Sequence, residues 1–191
     1  MGGGIYISTD AGATWKDSGA PNAFWTTLAC SADGYRVIAG DQSGALCALP
    51  YVGPWRITNA PGNVVAASAN GATWVAAVSG GPIYISHDAG SSWLQTSAPS
   101  NDWVSVACSA DATKLVAAAG SIYLSEDSGA TWNQASAPSE YWGWSVASSA
   151  DGTSLVAACG YGSDGSELLT RCRDLKDTWK MGEPDLARRG R

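Results

Sequence analysis

Ile83-Tyr84-Ile85-Ser86-His87-Asp88-Ala89-Gly90-Ser91-Ser92-Trp93 decides the fold, because the chain repeats it. Ile5-Tyr6-Ile7-Ser8 runs into Thr9-Asp10-Ala11-Gly12-Ala13-Thr14-Trp15 in the same way. Ile122-Tyr123-Leu124-Ser125 runs into Glu126-Asp127-Ser128-Gly129-Ala130-Thr131-Trp132, with Ile83 and Ile122 39 residues apart. Self-similarity at a fixed period of this length is the mark of a stacked-repeat architecture.

Working outward, a second element opens each unit. Trp25-Thr26-Thr27-Leu28-Ala29-Cys30-Ser31-Ala32-Asp33 matches Trp103-Val104-Ser105-Val106-Ala107-Cys108-Ser109-Ala110-Asp111. A variant starts at Trp144, and Val64 to Gly71 is the same element without its Trp. Two worn copies of the first element complete the series. Ala45 to Trp55 has lost its Asp and one residue, and Cys172 to Trp179 keeps Asp, Thr and Trp but lacks the Gly. The pattern therefore recurs at Trp15, Trp55, Trp93, Trp132 and Trp179.

Within the third unit, turn signals separate four short apolar runs: Val104 to Cys108, Leu115 to Ala119, Ile122 to Ser125 and Thr131 to Gln134. Four antiparallel strands in roughly 40 residues is the size of one propeller blade. No window carries a 3.6-residue apolar period long enough for an amphipathic helix. The expectation is an all-β protein: a β-propeller of four-stranded antiparallel blades, about four to five in number, with an incomplete ring among the alternatives. The units are read as a half blade over 1–18 and blades over 25–57, 63–96, 103–136 and 144–180. Residues 182–191 are read as a disordered basic tail.

The S-x-D-x-G-x-T/S-W turn has a physical logic. Asp10, Asp88 and Asp127 can accept hydrogen bonds from backbone N–H groups of the turn that follows. Gly12, Gly90 and Gly129 permit the positive φ of a tight hairpin. Thr14 and Thr131 precede Trp15 and Trp132, and with Trp93 these indoles carry apolar surface to the start of the next strand, to pack between sheets. A residue repeated once per unit serves the unit, so these carboxylates read as turn clamps rather than catalysts.

Composition excludes several classes. The net charge is −6, and the basic residues form no stripe before Arg188, Arg189 and Arg191. An acidic chain without a basic face is a poor nucleic-acid binder. No apolar run approaches a membrane span. Five cysteines without a CxxC pair, and one His, make a Cys/His zinc site improbable, so no metal and no cofactor are expected. Cys30 and Cys108 occupy one repeat position and read as small buried apolar residues. Met1 leads through three glycines into an apolar strand, which shows no secretory leader; the compartment stays open.

Ser8 to Trp15, Ser86 to Trp93 and Ser125 to Trp132 resemble the Asp boxes, or BNR repeats, of the sialidase-like superfamily, which includes sialidases, sortilin-type receptors, xyloglucan-hydrolysing enzymes and photosystem II assembly factors. The resemblance covers nearly the whole chain to about Trp179. It implies that the box joins the third and fourth strands of a blade, opposite the face that carries ligands. The connections on that other face then include Gly19 to Phe24, Asn59 to Asn63, Ala98 to Asp102, Ala137 to Tyr141, Gly40 to Gly44, Ser79 to Pro82, Gly120-Ser121 and Gly160 to Glu167.

Sialidases need three arginines there to hold a carboxylate, and none of these loops contains one. A glycosidase needs two carboxylates, for which the face offers Asp41, Asp102, Glu140, Asp164 and Glu167. The xyloglucan-cleaving relatives use two complete propellers, for which the chain is too short, and it lacks the basic patch of a photosystem assembly factor. The only candidate base for a nucleophile, His87, sits inside a turn.

Departures from a repeat are where function can be found. Glu140, Tyr141 and Trp142 flank a one-residue insertion, and Tyr161, Asp164 and Glu167 belong to a long loop of the same blade. These six are the expected ligand face. The expected role is a non-catalytic scaffold binding a glycan or a protein, with self-association possible through open blade edges. The alternatives are a divergent carbohydrate-active hydrolase and an accessory scaffold of an enzyme pathway.

Overall fold

The computed structural model describes residues 2–135, 142–159, 170–174 and 180–181. Its strands are β1 (Tyr6–Ile7), β2 (Lys16–Asp17), β3 (Trp25–Cys30), β4 (Val37–Asp41), β5 (Ala45–Leu49), β6 (Arg56–Pro61), β7 (Val64–Ala67), β8 (Trp74–Ala77), β9 (Ser79–Gly81) and β10 (Ile83–Ser86). They continue as β11 (Leu94–Gln95), β12 (Asn101–Asp102), β13 (Ser105–Cys108), β14 (Leu115–Ala119), β15 (Ser121–Ser125), β16 (Asn133–Gln134), β17 (Trp142–Ser148), β18 (Ser154–Cys159), β19 (Thr170–Asp174) and β20 (Lys180–Met181). No helix occurs among the described residues.

The strands form four four-stranded antiparallel sheets, each a meander in chain order: β3-β4-β5-β6, β7-β8-β10-β11, β13-β14-β15-β16 and β17-β18-β19-β20. A two-stranded sheet, β1-β2, precedes them. These are propeller blades. The innermost strands stack in order, β3 against β7, β7 against β13 and β13 against β17.

Small side chains let the sheets approach closely, and larger apolar residues fill the space between. One interface holds Ile38, Leu46 and Ala48 against Val65, Trp74 and Ala76. The next packs Val75, Ile83 and Ile85 on Val106, Leu115 and Ala117. The third packs Val116, Ala118 and Ile122 on Val146, Leu155 and Ala157. Alternation along each inner strand thus sends one side chain to the preceding blade and the next to the following blade.

Two rows of hydrogen bonds tie the blades together, one on each face. In the turns after the inner strands, the Ala32 N–H donates to Ala69 O, Ala69 N–H to Ala110 O and Ala110 N–H to Ala150 O, at 2.7–2.8 Å. On the opposite face β12 pairs with β9, so the connection into one blade is bonded to a loop of the blade before it. The bridge between Gly3 and Ala23 repeats this brace two units earlier. The sequence reads Ser79 to Pro82 and Ala98 to Asp102 as plain loops; this small sheet depends on two connections meeting in space.

Candidate functional site

The turns after β1, β10 and β15 are built around one carboxylate each. Asp10 Oδ1 accepts from Thr14 N at 2.8 Å and Oδ2 from the Thr14 hydroxyl at 2.5 Å. Asp88 holds Ser92 N at 2.8 Å and its hydroxyl at 2.6 Å, and Asp127 holds Thr131 at 2.8 and 2.5 Å. The preceding Ser hydroxyl donates back to each Asp while accepting from the Gly N–H: Ser8 from Gly12, Ser86 from Gly90 and Ser125 from Gly129, each at 2.8 Å. Gly12, Gly90 and Gly129 have φ of 89°, 81° and 86°. The residues before them, Ala11, Ala89 and Ser128, also take positive φ, which the sequence does not announce.

A second series of clamps sits in the turns after the inner strands. Ser31 pairs with Asp33, Ser68 with Asn70, Ser109 with Asp111 and Ser149 with Asp151. Each Ser hydroxyl also accepts the N–H five residues on, and all four are present at the same register. The sequence contains this signal as a Ser-x-Asp/Asn pair in every unit, but it reads as an ordinary turn.

The two clamp series share one face. Ala89 N–H donates to Ala72 O and Ser128 N–H to Thr113 O, both at 2.9 Å, so each outer clamp is bonded to the inner turn of its own blade. Hydrogen bonding fixes the charge state of these acids. The Thr14 hydroxyl and N–H hold Asp10 down to about 2, and Ser92 does the same for Asp88. Ser109 and Thr113 hold Asp111 at about 2, and Ser149 and Thr153 hold Asp151 there. The Thr131 contacts lower Asp127. A carboxyl ionised so far below neutrality is a poor proton donor, and its oxygens are already engaged.

On the other face, Asp41 belongs to a clamp too: it accepts from Ser43 N, the Ser43 hydroxyl and Ala45 N. Asp102 is exposed in the β9-β12 brace, next to Trp103. Trp103 is 1% exposed, donates its indole N–H to Gly81 O at 2.9 Å and meets Tyr123 edge-on at 5.3 Å, so it is a packing residue. Exposed apolar surface on this face comes from Phe24 and Val104, at the entrances to two inner strands. Of the residues the sequence names for the ligand face, Glu140, Tyr141, Tyr161, Asp164 and Glu167 lie outside the described residues, and Trp142 is placed only as the first residue of β17. Among the described residues no three His, Cys, Asp or Glu side chains cluster to hold a metal ion.

Two sequence expectations are corrected. Trp15 is 64% exposed, whereas Trp93 and Trp132 are half-buried against neighbouring sheets. Cys30 is exposed, although Cys108 at the same register is half-buried and its thiol is pushed up to about 11 by that burial. Both differences arise where the first sheet has only two strands.

No family model matches the chain, and comparison with curated proteins gives no match. Solved structures do. An ancestral GH74 enzyme superposes with a TM-score of 0.70 at 18% identity, covering 94% of this chain and 28% of its own. TolB from Acinetobacter baumannii gives 0.65 at 14% identity, over 92% of this chain and 47% of its own. YCF48 bound to a D1 peptide gives 0.60 at 15%, over 83% and 54%. The chain thus spans between about a quarter and about half of these proteins, and at such identities the likeness shows the propeller fold alone. Hydrolases and peptide binders both stand among the neighbours, so fold does not choose between them.

Proposed function

We propose that the chain is a non-catalytic Asp-box propeller that binds a protein segment through the face opposite its clamps. The observation that supports this reading is how the described acids are used. Asp10, Asp33, Asp41, Asp88, Asp111, Asp127 and Asp151 each accept bonds that close their own turns, which leaves few carboxylates for acid–base work. The face opposite the outer clamps instead offers exposed Phe24 at one blade entrance and exposed Val104 and Asp102 at another, a mixture of apolar and polar groups suited to recognition. A neighbour of the same fold holds a peptide, which favours protein over glycan.

The sequence-based candidates Glu140, Tyr141, Trp142, Tyr161, Asp164 and Glu167 are included in the proposal because they leave the repeat pattern. The test is a peptide array and a glycan array probed with the full chain and with Tyr141→Ala and Tyr161→Ala. Peptide capture that both changes weaken, at unchanged melting temperature, supports the reading. Glycan capture alone would redirect it to carbohydrate. Turnover of a β-glucan lost in Asp164→Asn and Glu167→Gln would replace it with the hydrolase reading, which the GH74 neighbour supports.

A further inference from the structure

Two side-chain cations bridge neighbouring inner turns, and the junction between them lacks one. Arg36 Nη1 donates to the Asn70 carbonyl of the next blade at 2.6 Å, and Lys114 Nζ donates to the Asp151 carbonyl at 2.9 Å. Both residues stand five positions after a turn serine whose hydroxyl accepts their N–H. Thr73 holds the same register between them, and its hydroxyl meets His87 Nδ1 of its own blade at 3.4 Å. The Asp111 carbonyl corresponds to those of Asn70 and Asp151, yet it receives no donor among the described residues.

That junction is otherwise built like the other two. Ala69 N–H donates to Ala110 O at 2.8 Å, against 2.7 Å for Ala32 to Ala69 and for Ala110 to Ala150, so adjoining turns keep one spacing. The stems of Arg36 and Lys114 run over Gly71 and Gly152, where an added Cβ would lie 2.8 Å from Arg36 Cδ and 2.7 Å from Lys114 Cδ. At the open junction the glycine is replaced by Ala112, which is buried, and the residue at the stem position is the shorter Thr73. The alanine methyl takes the room of an internal stem, so a cation for the Asp111 carbonyl has to arrive from solvent.

The face that carries this junction is acidic. Asp10, Asp88 and Asp127 in the outer turns and Asp33, Asp111 and Asp151 in the inner turns are exposed, as is Glu126 next to Asp127. Against them stand Arg36 and Lys114, both already engaged. One sign of charge gathered on one face draws an oppositely charged partner and speeds its approach. Tyr35 and Tyr51 lie on the same face, 56% and 60% exposed, and the Arg36 guanidinium stands 5.8 Å from the Tyr51 ring centroid. The protein's own arginine thus shows how a guanidinium is held here, on a turn carbonyl and against an aromatic ring. Exposure at this position does not come from the two-stranded first sheet, since Thr113, the counterpart of Tyr35 between complete blades, is exposed as well. We infer that the clamp face docks a basic segment of a partner protein, one arginine or lysine of which donates to the Asp111 carbonyl between the β7-β8-β10-β11 and β13-β14-β15-β16 blades. Glu126 and Asp127 stand by this contact, because Ser128 N–H donates to Thr113 O at 2.9 Å and so ties their turn to that of Asp111. Apolar ring surface on the same face suits a polypeptide better than a bare cation. The surface lies opposite the loop face, and the inference does not rest on the loop-face reading.

The experiment titrates a hexa-arginine peptide into the full chain at low ionic strength, with hexa-glutamate and spermine as controls and amide NMR shifts as the footprint. The expected result is saturable binding of hexa-arginine that added salt weakens, with none of hexa-glutamate. The shifts should concentrate at residues 70–73, 111–114 and 126–129. Thr73→Lys combined with Ala112→Gly copies the Lys114 and Gly152 arrangement and fills the Asp111 carbonyl from within. It should lower the affinity about fivefold without lowering the melting temperature. Glu126→Gln, at an exposed position, should fold normally and lower the affinity about twofold. Absence of saturable binding by a folded chain, or a footprint on the opposite face, would overturn the inference. So would unchanged affinity in Glu126→Gln and in the folded double variant. Spermine bound as tightly as the peptide would also overturn it, by making the face a site for free polyamines.

Discussion

The indole N–H of Trp103 donates to the carbonyl oxygen of Gly81 across 2.9 Å, tying the entrance of one blade to a loop of the blade before it. The Asp-box indoles behave differently: the buried Nε1 atoms of Trp93 and Trp132 have no partner among the described residues. Trp103→Phe should therefore cost roughly 1 kcal/mol or more, from the lost hydrogen bond and the stranded Gly81 carbonyl. Trp93→Phe loses ring volume only and should cost less. Urea unfolding of the two variants checks the order, and equal losses would mean that the Trp103 bond contributes nothing.

The clamp acids predict a pH dependence. Their folded values lie below the ordinary 3.8, near 2 for Asp10, Asp88, Asp111 and Asp151. A lowered folded value means that the unfolded chain binds protons first as pH falls. The stabilisation is thus fully present above about pH 4 and is lost between there and about 2. Melting temperature should be flat from pH 5 to 7 with respect to these groups and should drop steeply below pH 4. Asp127→Asn should flatten that drop in part; an unchanged acid limb would show that the Asp127 clamp adds nothing.

Glycine positions in the inner turns separate backbone strain from collision. Gly71 has φ of 62° and its added Cβ would lie 2.8 Å from Arg36 Cδ and 2.9 Å from Ser31 Cβ. Gly71→Ala should lose the roughly 1–2 kcal/mol of left-handed strain and more from the clash. Gly34 has φ of 74° with open space around it, so Gly34→Ala should show the strain alone. Thermal melts of both variants test this, with the larger loss expected at Gly71.

Thiol accessibility should rank the cysteines by their place in the sheets. Cys30 is exposed, while burial raises both Cys108 and Cys47. In a background with Cys159→Ser and Cys172→Ser, one thiol should react quickly with a disulfide reagent at pH 8, and the other two only on unfolding. Fast reaction of Cys108 would contradict the packing of β13 between its neighbours.

The clamp-to-clamp spacing and the Val-Ala runs identified the repeating unit because each blade must close the same turns and present the same small residues to its neighbours. Strand ends were harder to read. β16 covers only Asn133–Gln134, where the sequence places a run from Thr131, because Thr131 is held in the clamp by Asp127. The six residues named for the ligand face gave no such regularity, since they were chosen for leaving the repeat.

By itself the sequence determined that this is an all-β repeat of blade-sized units, with one carboxylate in each intact outer turn. That follows from local chemistry: hydrogen bonds spanning four residues and side chains alternating along a strand are both written in spacing. Only the tertiary structure decided which copies are covered. Leu28 and Val106 are equivalent in sequence, as are Trp15 and Trp132, yet one of each pair faces solvent and the other is packed. Burial depends on the neighbouring blade, and a repeat pattern records what each unit offers, not what stands beside it.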